Sequence, residues 1–312
     1  MNAREHGSRR LWLAAACALG CAAGRPLAVR GQDASAGITH TFFAAGGATY
    51  IRDGLGKTTW KYPAGTRDGW VLPEGRVLLV LTKSRDYPGG AVLEVDRRGL
   101  THFEYKGTQS EVNTAERLAN GNTMLTEAGN MPRILEVDGK GRTVGEIPLR
   151  AQTKDHHLQT RMTRKLANGN YLVPQLLDKV VREYTPVGDV IWELKTPDMP
   201  FTAIRLDNGN TLVGCTLGNL VIEVNPAREI VWKLSNEDLP GNPINDACGV
   251  QRLPNGNTVV TSQHATGNDV KLLEVTPAKQ LVWTYRDPST PSIHNFQILD
   301  TNGEPLAGRP LR

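Results

Sequence analysis

Cysteine is scarce in this chain, with four residues among 312. Only Cys215 and Cys248 lie beyond the first 36 residues. Two cysteines cannot form the framework of several disulfides that is typical of small secreted domains. They could pair between neighbouring repeats or remain free as buried thiols, and the sequence leaves both alternatives open.

An excess of charge of one sign is also lacking. Lys and Arg number 36 against 32 Asp and Glu, a net charge of +4; without residues 1–36, which hold five Arg, one Glu and one Asp, it is +1. Binding to nucleic acid or to an acidic membrane would need a concentrated basic patch. The composition therefore indicates neither partner.

The apolar run near the N-terminus is too short for a membrane span of ~20 residues. It covers residues 11–23, follows Arg9 and Arg10, and precedes an Ala-Ser-Ala sequence at 34–36. This pattern predicts a cleaved signal peptide over residues 1–36, and residues 8–13 resemble a twin-arginine signal. We therefore expect a periplasmic or secreted protein.

Several catalytic motifs are missing. The sequence has no HExxH motif, no phosphate-binding loop, no Ser/His/Asp ordering and no motif of paired carboxylates. Motifs therefore assign no reaction, and we expect neither a cofactor nor a metal site.

The dominant feature that is present is a nine-residue sequence, RLDNGNTLV at 205–213, that recurs along the chain. Close copies lie at 117–125, 165–173 and 252–260, and weaker copies lie at 71–79 and 298–306. Asn-Gly between apolar runs predicts a hairpin with a type I′ turn, in which both central residues have positive φ. Each copy therefore predicts one tight turn between two strands.

The spacing of these copies predicts the architecture. Their glycines are Gly75, Gly121, Gly169, Gly209, Gly256 and Gly303, with steps of 46, 48, 40, 47 and 47 residues. Repeats of about 40 to 50 residues with several strands each are typical of propeller blades. The repeat after Phe201 shows four strands, at 201–206, 211–216, 220–224 and 230–234.

The two ends of the chain complete the count of blades. Residues 39–63 supply three strands and residues 293–300 supply one, which together make a closing blade. Closure of this kind satisfies the strand edges that an open array would expose. We therefore predict an all-β, six-bladed β-propeller with four antiparallel strands per blade, forming a single domain over residues 37–312.

Large residues and glutamates also recur at fixed places in the repeat. The fourth strands share the large residues Trp60, Phe103, Ile147, Trp192, Trp232 and Trp283, and the third strands share Glu94, Glu136, Glu183, Glu223 and Glu274. We interpret the large residues as packing between blades. We interpret the glutamates as a solvated or paired face, because an active site needs asymmetry.

The repeats resemble those of PQQ-like, or quinoprotein-type, β-propellers and are similar to those of bacterial arylsulfotransferases. The resemblance depends on L-x-N-G-N-T followed by a strand pattern that ends in V-W, over nearly all of residues 39–303. It implies the repeat type and leaves the chemistry open. The adjacent cysteines that accompany the cofactor in quinoprotein dehydrogenases are lacking here.

A functional site is expected at the end of the ring opposite the Asn-Gly turns, where variable loops converge. Counting eight residues back from each repeat glycine, and nine in the slipped last copy, samples the start of each innermost strand: Arg67, Asn113, Arg161, Phe201, Cys248 and His294. Unlike the repeated positions, this set is chemically mixed. Its arginines would suit an anion such as sulfate or carboxylate.

Four histidines map to the same end: His156, His157, His264 and His294. With Arg67, Asn113, Arg161 and Asp246 they form the predicted binding residues. We consider three alternatives: solvated loop residues that pair locally, a monomeric module that binds a small polar or anionic ligand or an extracytoplasmic protein, and an enzyme. The resemblance implies an arylsulfotransferase-like transferase or a lyase, with His294 as nucleophile and Arg161 and Arg67 as an anion clamp.

Overall fold

In the computed structural model, residues 31–33 and 36–312 are described. They form six antiparallel sheets and almost no helix. Before the first complete blade come β1 (Gln32–Asp33), β2 (His40–Gly46), β3 (Thr49–Arg52) and β4 (Thr58–Tyr62). Blade 1 contains β5 (Thr66–Val71), β6 (Val77–Leu81), β7 (Ala91–Val95) and β8 (Thr101–Lys106). Blade 2 contains β9 (Glu111–Arg117), β10 (Thr123–Ala128), β11 (Arg133–Val137) and β12 (Thr143–Pro148).

The second half repeats this plan. Blade 3 contains β13 (Arg164–Lys165), β14 (Tyr171–Gln175), β15 (Val180–Tyr184) and β16 (Val190–Lys195). Blade 4 contains β17 (Pro200–Arg205), β18 (Thr211–Cys215), β19 (Leu220–Val224) and β20 (Ile230–Ser235). Blade 5 contains β21 (Val250–Arg252), β22 (Thr258–Thr261), β23 (Leu272–Val275) and β24 (Leu281–Tyr285). Two short 3₁₀ helices cover His156–Leu158 and Asn236–Asp238. The six-bladed β-propeller is confirmed.

Blade 6 closes the ring with strands from both ends of the chain. Its innermost strand is β25 (Ile293–Thr301), which pairs with β2 and is followed by β3 and β4. A short strand, β26 (Glu304–Pro305), adds to β25. Strand β1 pairs with the outer edge of β24 in blade 5. The N-terminal segment therefore bridges the last two blades before it enters the closing blade.

Strand β1 precedes the predicted domain start at residue 37. Its buried Gln32 accepts hydrogen bonds from the Trp283 indole (2.9 Å) and from the backbone N–H of His40 (3.0 Å). Cleavage after residue 36 would remove these contacts. The rest of the predicted signal peptide, residues 1–30, 34 and 35, lies outside the described residues. Among the described residues, no helix has the length and apolar character to cross a membrane.

Each blade interface has its own apolar core. Six clusters of buried residues correspond to the six pairs of neighbouring blades. Inner strands such as Val77–Leu81 (VLLVL) are buried throughout, because both faces of a blade pack on neighbours. Outer strands such as Thr101–Lys106 bury only Phe103 and Tyr105. The repeated tryptophans pack in these interfaces, as predicted.

The repeated glutamates pair across the interfaces. Glu183 of blade 3 binds Arg205 of blade 4 (2.8 Å), and Arg205 also lies over the Trp192 ring, 4.9 Å from its centre. The same contacts join Glu223 to Arg252 (2.8 Å) and Glu94 to Arg117 (2.5 Å). In blades 2 to 5 the first residue of the repeated sequence therefore links its blade to the one before it, and the paired interpretation of the glutamates is confirmed.

The turn type differs from the prediction. In residues 206–210 the Gly209 N–H donates to the Leu206 carbonyl (2.9 Å), and Gly209 has φ +84°. Asn208 is absent from the residues with positive φ. This is a type I turn with a glycine bulge, which also suits the right-handed twist of the strands. The predicted type I′ geometry occurs in the last copy, where the φ angles of Asn302 (54°) and Gly303 (+84°) are both positive.

Candidate functional site

The six residues predicted at the starts of the innermost strands, here called the axial ring, are Arg67, Asn113, Arg161, Phe201, Cys248 and His294. In four blades the strand register skips one residue, and that residue belongs to the ring: Arg67, Asn113, Phe201 and His294. A β-bulge bends its strand and re-aims a side chain. The bulges therefore explain why these positions leave the regular alternation of the blades.

A carboxylate organises the cationic side of the axial ring. Glu111, on the innermost strand of blade 2, is 3.0 Å from Arg67, 3.1 Å from His157 and 3.4 Å from Lys83. Burial alone would raise the pKa of Glu111, but the hydrogen bond from His157 and the charge of Arg67 outweigh it and hold the pKa at about 2. Glu111 is therefore ionised. It holds three basic groups at the end of the propeller opposite the Asn-Gly turns, here called the open end.

The two adjacent histidines are positioned by the short helix His156–Leu158. Asp155 caps this helix by accepting the His157 N–H (3.0 Å). The His156 imidazole contacts the Ser110 hydroxyl (2.7 Å), while His157 contacts Glu111. Each histidine therefore reaches back to blade 2, and the His157 side chain remains 55 % exposed.

Arg161 differs from the other arginines of the site because it lacks a carboxylate partner. Its side chain is buried, its guanidinium donates to the Thr160 carbonyl (2.8 Å), and it lies 5.9 Å from the centre of the Phe201 ring. No ion pair to Arg161 occurs within residues 31–33 and 36–312. Burial and the nearby Arg67 charge lower its pKa to about 9. At neutral pH it is therefore a buried cation that would gain from a bound anion.

Asn113 is fully buried, and both polar atoms of its amide lack a hydrogen-bond partner among the described residues. An unpaired buried polar group costs about 1–3 kcal/mol. Asn113 occupies the bulge position of blade 2, between the ring positions of Arg67 in blade 1 and Arg161 in blade 3. This amide therefore offers one donor group and one acceptor to a ligand or water at the axis.

His294 supplies a neutral imidazole. Burial, the charges of Arg161 and Arg67, and then those of His264 and His157 lower the pKa of His294 to about 4. Its ring makes no hydrogen bond within the described part of the chain. At neutral pH the imidazole is therefore uncharged and has a nitrogen free to accept a proton or a hydrogen bond.

Blade 5 contributes a second pair of groups. His264, with a side chain 60 % exposed, contacts the buried carboxylate of Asp246. Cys248 lies two residues after Asp246 and contacts the Thr216 hydroxyl (3.2 Å). Burial raises the pKa of the Cys248 thiol to about 12. Cys215 and Cys248 are both free and buried, so the disulfide alternative is not realised.

A buried polar network around Asp68 lies next to the axial ring. Asp68 accepts from Arg312 (2.7 Å), Asn295 (2.8 Å) and Thr114 (2.6 Å), and lies 3.2 Å from Arg164. Burial alone would raise the pKa of Asp68, but the two arginines lower it below its ordinary value. The residues that follow Arg67, Asn113 and His294 in the chain are therefore joined to one another by Asp68.

The Asn-Gly turn end of the propeller has grooves, which the sequence did not predict. One, of about 880 Å³, lies between the Asn-Gly turns of blades 3 to 5 and the C-terminal residues 306–312. From that segment Arg312 inserts into the channel, 4.1 Å from the centre of the Trp70 ring, and donates to the Gly69 carbonyl (2.6 Å). The C-terminal segment therefore reaches the buried network around Asp68 from the turn end.

All eight predicted binding residues lie at the open end. Arg67 and His157 are joined through Glu111, and the charges of Arg161, His264 and His157 act on His294. His156 and the Asp246–His264 pair lie at the rim. Their role in binding stays a prediction.

Sequence reasoning missed Glu111, Ser110 and Lys83. Glu111 lies two residues before Asn113 on the same strand, and that spacing was the available signal. In residues 31–33 and 36–312, no three or more His, Cys, Asp or Glu side chains are grouped to hold a metal ion.

Comparison with known proteins identifies the fold. No family model matches the chain, and no curated protein matches it. A protein of unknown function from Bacteroides caccae is 24 % identical, with a TM-score of 0.73 over 83 % of this chain and 98 % of that one. The PQQ-like resemblance therefore has no support from a family model.

Two structures named as enzymes also share the fold. Virginiamycin B lyase from Staphylococcus aureus is 15 % identical, with a TM-score of 0.54 over 74 % of this chain and 73 % of that one. The periplasmic gluconolactonase of Pseudomonas aeruginosa is 12 % identical, with a TM-score of 0.55 over 88 % and 99 %. At these identities the likeness concerns the fold alone.

Proposed function

We propose that this protein is an exported PQQ-like β-propeller that binds a small anionic ligand at the open end of its axis. The observation that carries the proposal is Arg161, a buried guanidinium without a carboxylate partner among the described residues. Two nearby features support it: the unpaired amide of Asn113 and the uncharged ring of His294. A carboxylate or sulfate would neutralise Arg161 and accept from its forked donors.

The ion pairs of the site support a ligand whose anionic group contacts Arg161. Arg67 is already paired with Glu111, whose carboxylate also holds His157 and Lys83. Asp246 is occupied by His264. Arg161 is therefore the arginine of the axial ring that contacts no carboxylate among the described residues, and an anionic ligand would supply one. The N-terminal sequence with Arg9 and Arg10 supports export, and we propose a monomer in the periplasm or outside the cell.

The test is anion-dependent stabilisation. Acetate and sulfate, compared with chloride at equal ionic strength, should raise the melting temperature, because a ligand at ~100 times its Kd stabilises the folded state by about 2.7 kcal/mol. Arg161→Met should abolish the effect, whereas Arg142→Met should retain it, since Arg142 is 72 % exposed and lies in a turn of blade 2 at the other end. Equal stabilisation of wild type and Arg161→Met would reject the proposal.

The second candidate function is an enzyme of transferase or lyase type, and the uncharged imidazole of His294 favours it. An anion bound at Arg161 would offset the charges that disfavour protonation of His294 and so raise the pKa of that imidazole. His294 would then be a better proton acceptor in the complex than in the free protein. The names of the lyase and the lactonase with the same fold make these reaction classes worth assaying.

His294→Asn separates the two functions. As an enzyme, wild type should turn over an aryl sulfate with a phenol acceptor, or a lactone, and the variant should lose turnover while it retains the anion-dependent rise in melting temperature. If wild type turns over none of these substrates, or if the variant turns them over equally well, the enzyme hypothesis is dropped and the binding proposal stands on its own test.

A further inference from the structure

The wall of the axial ring changes character from one side to the other. Blades 1 to 3 contribute Arg67, Asn113 and Arg161, whereas blades 4 and 5 contribute Phe201 and Cys248. Phe201 and Cys248 belong to a buried apolar cluster with Met162, Leu176 and Met199. The axis therefore has a cationic side and an apolar side, which meet where Arg161 lies over the Phe201 ring.

Part of the rim of the open end is also apolar. Met131, Leu177 and Leu217, here called the apolar rim, lie in the loops between the second and third strands of blades 2, 3 and 4, and are 70 %, 43 % and 58 % exposed. The corresponding loops of the other three blades contain none of the exposed large apolar residues found in the described chain. The apolar rim is therefore confined to three consecutive blades.

Loop contacts connect two of the three apolar-rim residues, Leu177 and Leu217, to the axial apolar cluster. Leu176, next to Leu177, is buried in the axial apolar cluster. The backbone N–H of Thr216, next to Leu217, donates to the carbonyl of Met199 in the same cluster (2.9 Å). These loops lie between second and third strands, and neighbouring strands are ~4.8 Å apart, so the rim lies roughly 5–10 Å outward from the innermost strand.

We propose that the ligand is an amphipathic anion, whose charged group binds at Arg161 and whose alkyl or aryl portion lies across Phe201 onto the apolar rim. This inference depends on the proposed anion binding and adds the class of ligand. Exposed apolar side chains in the loops of blades 2 to 4, with a buried cation in the middle one of these blades, complement the apolar and charged parts of such a molecule.

The test is isothermal titration calorimetry with straight-chain carboxylates from acetate to octanoate. Kd should fall by up to about fourfold per added methylene, because ~0.8 kcal/mol per buried CH₂ corresponds to that factor. Uncharged 1-alkanols of the same length should bind at least about tenfold more weakly, since they leave Arg161 without an anion.

The variant Met131→Ser/Leu177→Ser/Leu217→Ser should remove the dependence on chain length and leave acetate binding unchanged. Its matched control is Leu55→Ser/Leu100→Ser/Val187→Ser, which changes three comparably exposed residues in turns at the other end. Circular dichroism checks the fold of both variants, and Leu217→Ser alone should show about a third of the effect.

The outcomes separate this inference from the proposed function. If acetate binds through Arg161 but chain length has no effect, the amphipathic ligand is rejected and anion binding stands. If alkanols bind as tightly as carboxylates, or if the control variant loses the dependence as well, the inference is also rejected. If neither acetate nor octanoate binds, both proposals fail.

Discussion

Replacing His294 by Asn should weaken the dependence of stability on pH. The folded protein holds the pKa of His294 at about 4, against an ordinary value of 6.5, because of burial and the charges of Arg161 and Arg67. A group whose folded pKa is lowered contributes stability that is present above its unfolded pKa and lost as pH falls through its folded pKa. The relevant window is therefore between about pH 6.5 and about pH 4.

The magnitude follows from these two pKa values. Between about pH 7 and about pH 4.5, linkage predicts that His294 alone removes about 2 kcal/mol from the free energy of unfolding. Glu111 stays ionised over this range, because its pKa is about 2. The loss on acidification should therefore be smaller in His294→Asn than in wild type by about this amount.

Urea unfolding followed by tryptophan fluorescence at several pH values provides the measurement. His102→Asn is the control, since His102 lies on the outer strand of blade 1, away from the axis. It should keep the wild-type pH profile. The reasoning is refuted if His294→Asn and wild type lose the same stability between the two pH values, because His294 would then titrate normally in the folded state.

Two further predictions concern the scaffold. Asp68→Asn should lower the free energy of unfolding by about 3–5 kcal/mol, because it leaves Arg164 and Arg312 as buried cations; a loss no larger than that of Asp207→Asn, in an exposed turn, would contradict this. Gly209→Ala should cost about 1–2 kcal/mol, because Gly209 has φ +84°. Gly139→Ala, in open space without a positive φ, should be nearly neutral by the same chemical denaturation, and an equal cost at both sites would contradict the turn assignment.

The repeats were readable from the sequence because their causes are local. The Asn-Gly turns, the four short strands and the split closing blade each follow from patterns within about 50 residues. The starts of four innermost strands could also be counted from the turns, whereas Arg161 and Cys248 precede the strands Arg164–Lys165 and Val250–Arg252. The predicted turn type was wrong in residues 206–210, since the same residues also fit a type I turn with a glycine bulge, and the twist of the strands favours it.

Only the tertiary structure decided what the ends of the chain do and how the axial residues combine. Gln32 reaches Trp283, and Arg312 reaches Asp68, across more than two hundred residues, and no local pattern carries such a contact. Glu111 lies two residues before Asn113 in the chain, but only the closed ring brings three basic groups to its carboxylate. The sequence by itself determined the blades, because strand pairing is short-range. Protonation and partners at the axis depend on burial and on charges from several blades, which exist only once the ring has closed.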